Sequence, residues 1–221
     1  MNNIQAFVFD MDGLLLDTEG VYKRSWTEAA RQLGFDLTDE IYLLLIGISV
    51  ADAEKRLVEV FGTRFPIDKF REDAKTRYEA IVETEGIPLK PGVREILQWA
   101  RDKNIPCAVA TSTLTPEAQA RLAKHGILKE FRQVIGREMV SRGKPHPDLF
   151  LSAAQALGIE PSHCLVFEDA HTGVHAAKAA YMEVLLIPDM LPCTPEIELL
   201  ATHVCKNLVD ARDWLAEKHF Q

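Results

Sequence analysis
The sequence predicts an α/β protein, a doubly wound parallel sheet interrupted by an all-α insertion of four helices. Two observations carry this. From Pro88 onward, apolar runs of strand length alternate with amphipathic stretches of helix length, the pattern of a parallel sheet covered on both faces. Ahead of that alternation one such run stands alone, Gln5-Ala6-Phe7-Val8-Phe9, and between Glu19 and about residue 85 there is only helical periodicity. The helical block therefore interrupts the α/β domain just after its first strand. The expected division is 1–16 with 84–221 for the core and 17–83 for the insertion, with hinges near 14–18 and 82–88. No internal repeat or low-complexity tract is visible.

Taken in order, the first strand runs into a loop, Gly13 to Glu19. Val21, Trp26, Ala29, Ala30 and Leu33 then form one helical face, closed by Gly34. Thr38-Asp39-Glu40 caps a short helix to Leu45, broken by Gly47. Ser49 reads as an N-cap for the helix carrying Ala53, Leu57, Val58 and Phe61, which Gly62 ends. Pro66 opens a longer helix through Phe70, Ala74, Tyr78 and Ile81, with Gly86 after it. In the core, Pro91-Gly92 starts a helix (Val93, Ile96, Leu97, Ala100) that precedes a strand at Pro106–Ala110. The cycle continues with a helix over 116–125, a short strand near Val134-Ile135 and a helix from Pro147 to Leu157. A strand at 164–167, a helix over Thr172–Ala180 and strands at 183–187 and 203–205 follow, with a last helix at Asp210–Lys218.

With 221 residues, 47% of them hydrophobic and 26% charged, the chain has the composition of a soluble globular protein and ample material for a core. A formal net charge of −8 and no long Lys/Arg block argue against a nucleic-acid polymer as partner. A small anionic substrate stays open, because a metal and one or two lysines reverse the potential locally. The start, Met1-Asn2-Asn3, leads straight into a strand without a basic or cleavable apolar segment, and no run approaches bilayer-spanning length, so no membrane partner is expected. Cys107, Cys164, Cys193 and Cys205 are scattered, the first two inside apolar runs, which suggests reduced thiols in a cytoplasmic protein.

Chemistry accumulates where the strands end, which is where open parallel sheets bind ligands. Asp10 and Asp12 follow the first strand and, by strand alternation, point the same way while Met11 points opposite. Alone, the pair reads equally well as a turn or cap at a strand exit. The second strand delivers Thr111-Ser112-Thr113, by itself a common helix N-cap. The strand at 164–167 delivers Glu168-Asp169, and Gly143-Lys144-Pro145-His146-Pro147 holds a lysine in a stiff turn. Four carboxylates near one point, Asp10, Asp12, Glu168 and Asp169, call for a hard divalent cation such as Mg2+. Asp10 is then a nucleophile already ionised at neutral pH. Asp12 is placed to move a proton, and Thr111 and Lys144 can steady a transferring phosphoryl group. His146, His171 and His175 lack zinc-ligand spacing and are read as non-ligands, and no nucleotide-binding glycine loop is present.

Asp10-Met11-Asp12-Gly13-Leu14-Leu15-Leu16-Asp17-Thr18, Thr111, Gly143-Lys144-Pro145 and Phe167-Glu168-Asp169 together resemble, in order, the four motifs of the haloacid dehalogenase superfamily. The likeness covers essentially the whole chain. It points to the branch with a small helical cap, which includes β-phosphoglucomutase-like proteins and sugar-phosphate or pseudouridine-5′-phosphatases. The resemblance implies a Rossmann-like core, with Asp10 as nucleophile and metal ligand, and with Asp12 as acid/base and as a metal ligand through its backbone carbonyl. Thr111 and Lys144 would hold the phosphoryl group, within a substrate-binding set of Thr18, Thr111, Ser112 and Lys144. Asp169, with Glu168 directly or through water, would complete the Mg2+ site, and the cap would close over the substrate. Asp12 argues against a dehalogenase. The mutases carry a histidine in the first cap helix, where this chain has Tyr22, and a basic residue after the cap glycine, where it has Ser49-Val50-Ala51 after Gly47. The expected function is a Mg2+-dependent phosphatase acting on a small phosphorylated metabolite, a sugar phosphate or nucleoside monophosphate, through an aspartyl phosphate. The alternatives are a phosphosugar mutase and a non-catalytic module that binds phosphorylated ligands. The protein is expected to be a cytoplasmic monomer.

Overall fold
The computed structural model describes residues 4–46, 48 and 50–218. It falls into two compact units, Asp17–Pro88 and Met1–Leu16 with Leu89–Gln221. The second junction lies beyond the expected 83/84, so 84–88 goes with the helical unit. Two local causes are visible: the N–H groups of Glu85 and Gly86 still bond to the Ile81 carbonyl, and the Asp17 N–H donates to the Pro88 carbonyl at 2.8 Å, tying the ends of the insertion together.

The helical unit, among the described residues, consists of α1 (Thr18–Gln32), α2 (Asp39–Leu43), α3 (Val50–Phe61) and α4 (Ile67–Thr84). The first two are capped by side chains: Asp17 accepts from the Gly20 N–H and Thr38 from the Ile41 N–H. The expected break at Gly47 and cap at Ser49 lie outside the described residues. Aromatic edges hold the unit together. Trp26 meets Phe70 and Tyr42 edge-on, and Phe65 sits against Phe35, Phe61 and Phe70.

The α/β unit contains six described strands, β1 (Ala6–Phe9), β2 (Cys107–Ala110), β3 (Gln133–Ile135), β4 (Cys164–Glu168), β5 (Glu183–Leu186) and β6 (His203–Val204). They form one parallel sheet in the order β3-β2-β1-β4-β5-β6. The order reverses at β1, which lies between β2 and β4 as the strand-end argument requires. Its helices are α5 (Val93–Asp102), α6 (Thr115–Lys124), α7 (Asp148–Leu157), α8 (His171–Ala179), α9 (Pro195–Leu200) and α10 (Leu208–Lys218). Helix α9, capped by Thr194, is an addition to the expected elements; at six residues it is too short to show a period.

The two faces of β1 are packed differently. Ala6 and Val8, with Ala108, Ala110 and Val166, meet the small residues of α7 and α8, including Ala153, Val174 and Ala177. On the other face Phe9 stacks on Phe167 at 4.4 Å and Phe7 lies parallel to Trp99 of α5 at 6.1 Å. Burying both faces holds β1 rigidly and so fixes the direction of whatever follows it. Cys107, Cys164 and Cys205 are buried and unpaired, as is the partly exposed Cys193, and burial pushes the Cys107 thiol up to about 12. Among the described residues no helix is long and apolar enough to cross a membrane.

Candidate active site
At the end of β1 the Asp10 N–H still belongs to the sheet, donating to the Phe167 carbonyl at 3.0 Å. Gly13 then turns the chain with φ +87, and Leu15 and Leu16 N–H groups both return to the Met11 carbonyl. A side chain at Gly13 would be strained by that φ, and its Cβ would lie 2.2 Å from Asp169 Oδ2. The loop is thus closed tightly enough to lay Gly13 against Asp169 at the tip of β4.

Asp10, Lys144 and Glu168 form a buried triad. The Lys144 ammonium donates to Asp10 Oδ1 and to Glu168 Oε1, and the three side chains are only 7%, 8% and 1% exposed for Lys144, Asp10 and Glu168. Lys144 comes from the Pro-bracketed turn ahead of α7, and its ammonium sits 5.0 Å from the Phe150 ring centre. Glu168 has no oxygen to spare: Oε2 accepts the N–H groups of Asp169 and Ala170, each at 3.0 Å. Gly173 in the first turn of α8 makes room for it, since a Cβ there would lie 1.8 Å from Oε1.

Asp12 sits in a more open setting, 30% exposed, and is held by three donors. Its Oδ2 accepts the hydroxyls of Thr111 (3.1 Å) and Thr113 (2.7 Å), and its Oδ1 pairs with Arg121 of α6 at 2.9 Å. Thr111 is fully buried and also accepts the Thr113 N–H. Its hydroxyl, expected on a phosphoryl group, is turned to Asp12. Ser112 is exposed beside it, and Thr18 is buried in the first turn of α1, within the helical unit.

Charge is the dominant feature. Burial pushes the Asp10 carboxyl up to about 8, reinforced by Glu168 and Asp12 and opposed by Lys144. Asp169 is likewise raised well above the ordinary range, first by burial and then by Glu168 and Asp10. For Lys144 burial works downward, but Asp10 and Glu168 outweigh it and keep the ammonium charged. Ionising Asp10 in this setting therefore calls for a cation beside it, as expected from the sequence. One ammonium does not balance this many buried carboxylates, because removing anions from water costs several kcal/mol each.

That imbalance is what a divalent cation relieves. Asp10 and Asp169 can offer carboxylate oxygens and Asp12 a backbone carbonyl, an all-oxygen set suited to Mg2+, which keeps several of its own waters. A set of four side-chain carboxylates is not what the structure holds. Asp12 and Glu168 are engaged elsewhere, and among the described residues no group of three or more His, Cys, Asp or Glu side chains is arranged to hold a metal. His146, His171 and His175 belong to no such group.

Two contributors lie outside the residues expected from the sequence. Asp189 lies beyond β5, where it pairs with Lys90. Arg121 gave no signal, since its position follows from how α6 packs.

Residues 4–180 match the family described as haloacid dehalogenase-like hydrolase. The chain is 32% identical over 180 residues to the phosphorylated carbohydrates phosphatase of Thermotoga maritima, covering 81% of this chain and 83% of that one. It is 33% identical over 198 residues to hexitol phosphatase A of Escherichia coli K12, covering 89% of each. Among solved structures it superposes with a TM-score of 0.85 and 28% identity on a haloacid dehalogenase family hydrolase from Deinococcus radiodurans R1 with bound phosphate and sodium, covering 98% of this chain and 97% of that one.

Proposed function
The chain belongs to the haloacid dehalogenase-like hydrolase family, and we propose that it is a phosphatase that hydrolyses a small phosphomonoester, a sugar phosphate or a nucleoside monophosphate, by way of a phosphoryl group carried on Asp10. The observation that carries this reading is the contrast between two carboxylates at one strand end. Asp10 is buried against a lysine, whereas Asp12 is half-open and held by hydroxyls and an arginine. One environment suits a nucleophile that must meet a phosphate without water, and the other a group that exchanges protons with leaving oxygen and water. The relatives named phosphatases, and the phosphate bound in the Deinococcus structure, support the same reading.

In the first step an Asp10 oxygen attacks phosphorus, and the ester P–O bond breaks as the leaving oxygen takes the proton of Asp12. In the second, Asp12 takes a proton from water, whose oxygen attacks the same phosphorus. The bond to Asp10 breaks and inorganic phosphate leaves. Lys144, fixed by Glu168, stabilises charge on the transferring group. Thr111 and Ser112 hold its oxygens from the end of β2, with the Thr111 hydroxyl swinging away from Asp12. Mg2+, which phosphatases of this family generally use, would be held by Asp10, Asp169 and the Asp12 carbonyl and supplies the positive charge that keeps Asp10 ionised. We read the protein as a cytoplasmic monomer without nucleic-acid or membrane partners, since its four unpaired cysteines suit a reducing compartment.

The test is phosphate release from a panel of sugar phosphates and nucleotides, with Mg2+ and then with EDTA. Release that EDTA abolishes is expected, and no release from any substrate ends the proposal. Isomerisation of β-glucose 1-phosphate primed by a bisphosphate would assign the chain to the mutases instead. Tyr22, where those carry histidine, is stacked on Tyr78 at 4.3 Å, which favours hydrolysis.

A further inference from the structure
Asp189 lies just beyond β5 and belongs to none of the motifs discussed so far. The β5 exit is tied to the β4 exit by the Ile187 N–H, which donates to the Glu168 carbonyl at 2.7 Å. That brings Asp189 beside the Gly13 turn. Its side chain is nine-tenths buried, and Oδ1 is paired with the Lys90 ammonium. Lys90 is anchored in turn, its N–H donating to the Leu15 carbonyl at 3.0 Å. The other oxygen, Oδ2, is buried and no group among the described residues donates to it. It lies 3.5 Å from the point a Cβ on Gly13 would take, and Asp169 Oδ2 lies 2.2 Å from that same point.

A carboxylate oxygen buried without a donor is costly, and a native protein keeps one only where an ion or water answers it. The neighbour here is Asp169, one of the two carboxylates that suit a cation, and a bound Mg2+ keeps waters whose hydrogens need acceptors. We infer that Asp189, clamped by Lys90, accepts a hydrogen bond at Oδ2 from a water on the cation held by Asp10 and Asp169, and thereby sets the affinity for Mg2+. Asp189 is a positioning residue, acting through the water, and the inference rests on the cation reading given above. Groups of this kind around metal sites are worth about 10–100-fold in affinity.

The experiment is a Mg2+ titration of EDTA-treated protein by calorimetry, without substrate, alongside the melting temperature of the metal-free form. Asp189→Asn keeps the shape and is expected to weaken Mg2+ binding about 10–100-fold, with any change in the metal-free melting temperature from the lost Lys90 pair read separately. A purely structural residue would lower that temperature and leave the affinity alone, which would overturn the inference. So would Mg2+ affinity within about twofold of wild type, or a wild type that binds no Mg2+. Asp189→Ser is the second variant, read the same way, and failure of both to fold would also overturn it. Weakened binding in a protein that hydrolyses no phosphomonoester would leave Asp189 assigned and remove only the phosphatase reading. Hydrolysis with unweakened binding would do the reverse.

Discussion

Two ion-paired groups, one in each unit, use charge in opposite ways. In the helical unit Arg24 grips Glu85 through two nearly ideal bonds, 2.6 and 2.8 Å, yet both side chains are more than half exposed. In the α/β unit one lysine serves two carboxylates, Asp10 and Glu168, with all three side chains less than a tenth exposed. By geometry the arginine pair is the better made. Water screens it, however, and such pairs contribute little. The triad is poorly balanced in charge and shut away from water, so each member matters to the others. Depth of burial, more than bond geometry, decides where charge carries consequence.

The sharpest way to break this contrast is Asp10→Asn. It should lower phosphate release by a factor on the order of 10^4 or more while the far-UV spectrum stays native; turnover near wild type would remove Asp10 as the nucleophile. Next is Lys144→Met, which takes the shared cation from two buried carboxyl groups and should cost about 3–5 kcal/mol in urea unfolding. Gly173→Ala drives a methyl into the Glu168 carboxylate, and a loss of about 1–3 kcal/mol is expected from the same measurement. A smaller effect is the pH dependence of the metal-free protein. Burial raises the Asp10 and Asp169 carboxyls in the folded state, so both bind protons more tightly folded than unfolded. Their contribution is favourable below the unfolded value of 3.8 and is lost as pH rises, for Asp10 toward about 8. The melting temperature should therefore fall between pH 5 and 8, less steeply in Asp10→Asn, and a rise across that interval would contradict the burial argument. The smallest effect is Arg24→Ala, for which the urea midpoint should not move measurably.

Much of this was legible because the determinants are local. The end of α1 at Gly34, the cap at Thr38, the start of α5 after Gly92 and the positions of Asp10, Lys144 and Glu168 follow from residues beside them in the chain. What was not legible depends on residues far apart. Arg121 reaches Asp12 only because α6 lies where it does, and the Lys90–Asp189 pair forms because β5 ends beside the Gly13 turn. The upward shift of the Asp10 carboxyl is hidden for the same reason. Aspartate is ionised by chemistry, but the desolvation that raises it belongs to the whole core around β1.

The Asp10, Thr111 and Ile187 N–H groups donate to Phe167, Ile135 and Glu168 carbonyls on neighbouring strands. Each is the first residue past its strand, so the candidate residues Asp10 and Thr111 are placed by main-chain bonds before any side chain takes part. The spacing between Asp10 and the opposing carboxylates is thereby measured out by the inter-strand distance, about 4.8 Å in any parallel sheet. A protein designer could move these strand tips together onto an unrelated parallel sheet and keep the ruler, needing to rebuild only the lysine turn and the glycine that lets the two carboxylates meet.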